Sequence, residues 1–161
     1  MEIRFSPNRI VEIDDARLVY RNFRGEGSRF NREGERNFSV IIPNDEIAEA
    51  LMNEGFNVKI KPPMEEGEDP FMHLKVKVNF NDRGPIVWLV SGNRRVRLDE
   101  DSVRRLDSID IRSVNLDIQR GREKWEINGQ SGYAAYLRSI KVIQEIDRFS
   151  ARFAEEEHPE E

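Results

Sequence analysis

The sequence predicts a mainly β protein: a small closed barrel of five strands with Greek-key connections, extra hairpin strands, one or two short helices and a disordered acidic end. Three observations lead there. Short β-forming stretches recur along the chain, separated by glycine, asparagine and proline. Residues 72–80 alternate apolar and polar side chains without a fault. A capped helix signal stands in mid-chain. An elaborated β-sandwich is the other architecture such a pattern allows.

The elements follow in order. Residues 10–23 mix β-formers with alternating charge, and residues 37–42 form a short strand stopped by Pro43. Asn44 can cap a helix over residues 45–54, with acids in its first turn and Gly55 at its end. Residues 56–61 return to strand; three prolines and four acids make residues 62–70 a loop. In 72–80, Met72, Leu74, Val76, Val78 and Phe80 point to the core, while His73, Lys75 and Lys77 make a basic outer side. A turn at 81–84 then predicts a returning strand over 85–91 around Trp88, hence a hairpin. Gly92-Asn93 turns toward Arg94, Arg95 and Arg97, and residues 99–106 read as a short helix. In 109–118 the apolar alternation changes phase, which predicts a β-bulge near Arg112-Ser113. A further hairpin is expected to turn at 120–122, with Trp125 and Ile127 on its second arm and residues 128–132 breaking it. Residues 133–146 form the last strand, and 147–154 carry Phe149 and Phe153 at helical spacing. The expected division is a domain over 1–146, then a short helix and tail over 147–161. Among small barrels this order fits an OB fold best, which binds oligonucleotides with loops and one sheet face.

Charge is unevenly placed. The net charge is −5, but the last seven residues hold five carboxylates, Glu155, Glu156, Glu157, Glu160 and Glu161, so residues 1–154 are neutral. Arginine makes up 20 of the 26 basic residues, a bias toward planar cations that stack and fork onto phosphate. There is no cysteine, which excludes disulfides and thiolate metal sites and suits a reducing compartment. No apolar run approaches the roughly 20 residues of a membrane span, and the N-terminus lacks a signal-peptide core. A cytoplasmic protein without membrane contact is the expectation.

Residues 17–38 concentrate the functional signal. Arg17, Arg21, Arg24, Arg29, Arg32 and Arg36 alternate with Tyr20, Phe23, Phe30 and Phe38, and the stretch carries a local charge of +3. Cations for phosphates and rings for bases are what a single strand of nucleic acid requires. Arg21, Arg24, Arg29, Arg32 and Arg36 are candidate phosphate contacts, and Phe23 and Phe30 candidate stacking rings, on a flexible loop over 24–35. Tyr20 and Phe38 are expected in the core, as is Trp88. Lys75 and Lys77 beside His73, the pair Arg95 and Arg97, Trp125 and Tyr136 complete the candidate set; Tyr133 and Tyr136, three apart, fall on opposite strand faces. Solvated surface is the competing reading for each charged group. The acidic tail is expected to compete with DNA for the basic groove or to engage replication or recombination proteins. Phe149 and Phe153 leave a homo-oligomer open.

Enzymatic readings find little. There is no phosphate-binding GxxxxGK[ST] loop and no GxGxxG. Two histidines without cysteine do not make a zinc site. None of the six lysines has an acid two residues before it, the spacing of one nuclease class. Asp107, Asp110 and Asp117 are a carboxylate trio of the kind chance supplies. No catalytic residue, metal or cofactor is expected.

Two segments carry a resemblance. Residues 31–38, Asn-Arg-Glu-Gly-Glu-Arg-Asn-Phe, and residues 128–137, Asn-Gly-Gln-Ser-Gly-Tyr-Ala-Ala-Tyr-Leu, resemble the loop-strand element and last strand of OB-fold single-stranded DNA-binding proteins of tailed bacteriophages. The order of elements over about 10–146 is similar too. The resemblance implies sequence-tolerant binding, coating and protection of single-stranded DNA in phage replication or recombination. Bacterial proteins of like function end their acidic tails in an apolar tip; this chain ends His158-Pro159-Glu160-Glu161. A structural or adaptor protein of a virion or replication complex is the alternative, and the side chains do not separate DNA from RNA.

Overall fold

A computed structural model describes residues 1–146. The helix expected over 147–154 and the acidic tail lie outside the described residues. The strands are β1 (Glu2–Ser6), β2 (Ile10–Ala16), β3 (Leu18–Asn22) and β4 (Arg36–Ile42). Helix α1 (Asp45–Asn53) follows, then β5 (Val58–Lys61), β6 (Phe71–Val78), β7 (Ile86–Ser91) and β8 (Arg94–Leu98). A 3-10 helix over Val103–Asp107 leads to β9 (Ile111–Arg120), β10 (Trp125–Ile127), β11 (Gln130–Gly132) and β12 (Ala135–Gln144).

The pairings close a circuit. β2 and β3 are one bent strand: β2 pairs with β9 and β3 with β4. The bend is a bulge at Asp14-Asp15, where Asp15 takes φ +53° and its N–H donates to Asn115 Oδ1 at 2.9 Å. β4 pairs with β6, β6 with β12, and β12 with β9. Four of these five contacts are antiparallel, and β6–β12 is parallel. This is the five-stranded Greek-key barrel expected, of the OB type. Its interior holds Val11, Ile13, Phe38, Val40, Leu74, Val76, Leu116, Ile118 and Ile140, each buried. The 3-10 helix adds Val103 and Leu106, both fully buried.

The local signals act as their chemistry requires. Asn44 Oδ1 accepts the Ile47 N–H at 2.9 Å, capping α1, and Gly55 leaves it at φ +92°. The bulge falls at Arg112, which the β9–β12 register skips. Two expected hairpins are corrected. β7 does not fold back on β6; it runs on in the same direction, parallel to β12, and the 81–84 turn is a side excursion closed by an Asn81–Gly84 bridge. The C-terminal half of β12 demands a partner, and β7 supplies it. Likewise Trp125 does not pair with β9. β10 pairs with β11 about Asn128-Gly129, both at positive φ, the geometry of a two-residue hairpin turn. The residues read as a breaker are the turn itself. No helix among the described residues is long and apolar enough to cross a membrane.

Candidate nucleic-acid interface

In OB barrels the outer face of the second and third strands, with the loops joining strands 1–2 and 4–5, holds oligonucleotides. Here those are β4 and β6, residues 23–35 and residues 121–134. Alternation along β6 buries Met72, Leu74, Val76 and Val78 and turns Phe71, His73, Lys75 and Lys77 outward. β5 lies beside the first half of β6 and sets Lys59 opposite His73 and Lys61 opposite Phe71. β12 lies beside the second half and sets Tyr136 opposite Lys77.

Tyr20 completes this face, against the expectation that it is core. It takes φ +52° at an irregularity in the β3–β4 register, which throws the ring outward. The side chain is 58% exposed and reaches across β4 to β6. Its ring meets His73 edge-on at 5.4 Å and Phe71 at 6.3 Å, and Phe71 lies 5.4 Å from His73. Three rings thus form one platform on a strand lined with lysines. His73 Nδ1 lies 3.2 Å from Ser39 Oγ.

The face is electrostatically unsatisfied. Burial, then Lys59 and Lys61, hold the His73 imidazole below its usual pKa. Burial, then Lys59 and Lys77, lower the Lys75 ammonium, with Glu35 acting in the opposite sense. Like charges crowd here without enough carboxylate to balance them, which favours an anionic ligand.

The arginine–aromatic run divides. Phe23 is fully buried and stacks on Phe38 at 5.0 Å, so it fills the core instead of meeting a base. Arg21 donates to the carbonyls of Leu106 and Ile109 at 2.6 and 2.8 Å. Arg24 pairs with Asp107 at 3.2 Å, and Arg36 with Glu100 at 3.4 Å while lying over Phe80. These three arginines fasten the 3-10 segment to the barrel, a task that charge patterning alone does not reveal. Asp107, its side chain only 7% exposed, also accepts the N–H groups of Phe23 and Arg24 at 2.7 and 2.9 Å.

Arg29, Phe30 and Arg32 remain exposed at the loop tip, with Phe30 89% exposed and Arg29 5.8 Å above its ring. The loop expected to be flexible is braced by hydrogen bonds within itself. Gly34 N–H donates to Gly25 O at 2.8 Å, and Asn31 Nδ2 donates to the carbonyls of Glu26 and Glu35 at 2.9 and 3.0 Å. A methyl on Gly25, already at φ +70°, would sit 3.0 Å from the Gly34 carbonyl carbon.

A barrel of this connectivity, with a ring-and-lysine face and a braced cationic loop, can be compared with known proteins. Residues 3–161 match the model of the family described as "Putative phage ssDNA-binding domain". The chain belongs to this family. No curated protein matches it. Solved structures of the single-stranded DNA-binding protein from bacteriophage Enc34 are similar in fold at 12% identity. That protein alone has a TM-score of 0.55, with 92% of this chain and 93% of that chain covered. Its complex with ssDNA also gives 0.55, covering 91% and 93%, and its C-terminal truncation gives 0.54, covering 90% and 91%.

The remaining candidates of this phage family member spread along the outer surface. Tyr136 adjoins the face through Lys77. Trp125 is half-buried on the strand 4–5 loop, its ring against Gly132, where a methyl would lie 3.2 Å from Cζ2. Arg95 and Arg97 stand on β8, farther along β12. Trp88 is not core: Val87 and Leu89 point inward, and Trp88 lies half-buried under Arg95, 3.9 Å from the ring centroid. Its partner on β12 is Lys141, five residues beyond Tyr136, or about 17 Å along the strand. The sequence reading missed Lys59, Lys61, Phe71 and Tyr20. The alternation Lys59, Lys61 was visible as two cations sharing a strand face, whereas nothing local announces the left-handed Tyr20.

Proposed function

We propose that this protein holds single-stranded DNA across the outer face of β4 and β6, without regard to sequence, and so coats and protects it during phage replication or recombination. The observation that supports this reading is the continuous face of Tyr20, Phe71, His73, Lys75 and Lys77, flanked by Lys59 and Lys61. Bases stack on the rings and phosphates meet the lysines; neither contact distinguishes one base from another. Arg29, Phe30 and Arg32 close over the strand from the braced loop, and Tyr136 and Trp125 extend the surface toward the strand 4–5 loop. The role is binding, with no bond made or broken. Its setting is the cytoplasm of the host cell.

A titration of oligo-dT and of a matching duplex, followed by fluorescence, tests the reading. Tight binding of the single strand and weak binding of the duplex, whose bases are already stacked, is the expected result. Equal affinity for both, or none at moderate salt, overturns it. The acidic residues of 155–161 belong to the same proposal as a competitor for the basic face or a contact for replication and recombination proteins. Deleting them raises DNA affinity and weakens its dependence on added salt; unchanged binding removes the competitor role.

A further inference from the structure

Beyond the ring platform the outer surface continues into a cleft of about 270 Å³ over β12, between the 81–84 excursion and the start of β2. Arg9, Arg120, Arg122 and Arg138 line it, together with Tyr136 and Gln119. Four arginines line this volume, and none of them forms an ion pair to a carboxylate among the described residues. Arg9 Nε donates to Arg120 O at 3.2 Å, and Arg120 donates to Glu54 O at 3.0 Å while lying 4.2 Å over Tyr133. These contacts hold two of the cations in place through carbonyls and leave their charge unneutralised. Arg120 Nε is buried without any hydrogen-bond partner, a costly state for a charged group. Tyr136 forms one wall: Gly121 passes so close that a methyl there would lie 3.2 Å from Cε2.

We infer that this cleft is a second station for the same DNA strand. One nucleotide lies in it, its base against Tyr136 and its flanking phosphates on Arg122 and Arg138. The inference rests on the proposed binding of single strands and adds a place and direction to it. The register fixes the route, since Tyr136 lies opposite Lys77 on the neighbouring strand. A strand leaving the rings of β6 past Lys75 and Lys77 therefore reaches Tyr136 next and enters the cleft. The volume sits near the lower limit of small-ligand pockets, about 300 Å³, which suits one nucleotide and not a folded element. The planar cations that line it suit phosphate oxygens, which guanidinium forks pair with in two-point contacts.

The test uses the full chain with oligo-dT of graded length, from about four to about twelve nucleotides, the lower part of the OB site-size range. The double variant Arg122→Ala/Arg138→Ala is compared with wild type and with Lys75→Ala/Lys77→Ala. In wild type, affinity rises along the series; in the arginine variant that rise stops short, while the lysine variant is weakened at every length. Losing two phosphate contacts also lowers the salt slope by about 1.4, so the gap between wild type and the arginine variant narrows about sevenfold from 50 to 200 mM salt. Unaltered affinity and slope in the arginine variant, or a loss equal at every length, overturns the cleft as a station while leaving the face intact. No binding of oligo-dT by wild type overturns the face and the cleft together. A thermal melt of the variant guards against misfolding; Arg122→Lys/Arg138→Lys keeps charge without the fork and should recover the slope but not the full affinity.

Discussion

Two rings from one run of sequence provide the sharpest test. Tyr20 and Phe23 are three residues apart, and their roles are opposite. Tyr20 is 58% exposed, and its ring meets those of Phe71 and His73. Removing it to alanine takes little apolar surface out of the core, so the stability cost should stay within about 0.5 kcal/mol. The same change removes a stacking surface worth about 1–3 kcal/mol per base. At 1.4 kcal/mol per decade, that is about a 5- to 150-fold loss of affinity for oligo-dT. Phe23 is fully buried against Phe38. Phe23→Ala should cost about 3–5 kcal/mol of stability through lost transfer energy and a cavity. For a chain of this size that lowers Tm by about 6–20 °C, while the folded protein keeps its affinity. Fluorescence anisotropy with labelled oligo-dT and a thermal melt of both variants read the two effects. If Tyr20→Ala binds like wild type, or if Phe23→Ala loses affinity without losing stability, the assignment of ring faces is wrong.

The lysine face predicts a salt effect: Lys75→Ala/Lys77→Ala should flatten the plot of log K against log salt by about 1.4, because each phosphate contact contributes about 0.7. His73 predicts a pH effect. Its pKa in the free protein is depressed, and a phosphate beside it raises that pKa, so binding takes up a proton; oligo-dT affinity rises as pH falls through the range below 6.5. For the free protein the sign is reversed: stability tied to neutral His73 is present above 6.5 and declines as pH falls through the lowered folded value. His73→Gln should remove both trends, measured by anisotropy and by melts across pH. Asp107→Ala leaves the Phe23 and Arg24 N–H groups without their acceptor, at about 1–3 kcal/mol each when buried. Its Tm should fall, and hydrogen exchange in residues 23–35 should accelerate.

Much of the barrel was legible along the chain. The alternation of residues 72–80, the Asn44 cap and the phase change at Arg112 are local codes, written in neighbouring side chains and backbone preferences. They survive folding because the core rewards the same alternation that the sequence displays. The basic side of β6 was legible for the same reason, and so was the exposed Phe30 between two polar neighbours.

Pairing partners were not legible. Residues 81–84 look like a hairpin turn, yet β7 runs on beside β12, because the last strand needs a partner along its whole length. Asn128-Gly129 reads as a break or as a turn with equal ease until the strand opposite is known. Charge was the least transparent of all. Arg21, Arg24 and Arg36 are chemically the same as Arg29 and Arg32, and only the position of Leu106, Ile109, Asp107 and Glu100 in space makes the first three structural. The sequence by itself determined the main strands of the barrel, the helix cap, the balance of charge and the kind of ligand such side chains suit. Tertiary structure alone decided which rings face water, which arginines are spent on the fold, and that four others converge on one cleft. Those outcomes depend on contacts between residues tens of positions apart, and on single backbone angles such as that of Tyr20, which no local pattern encodes.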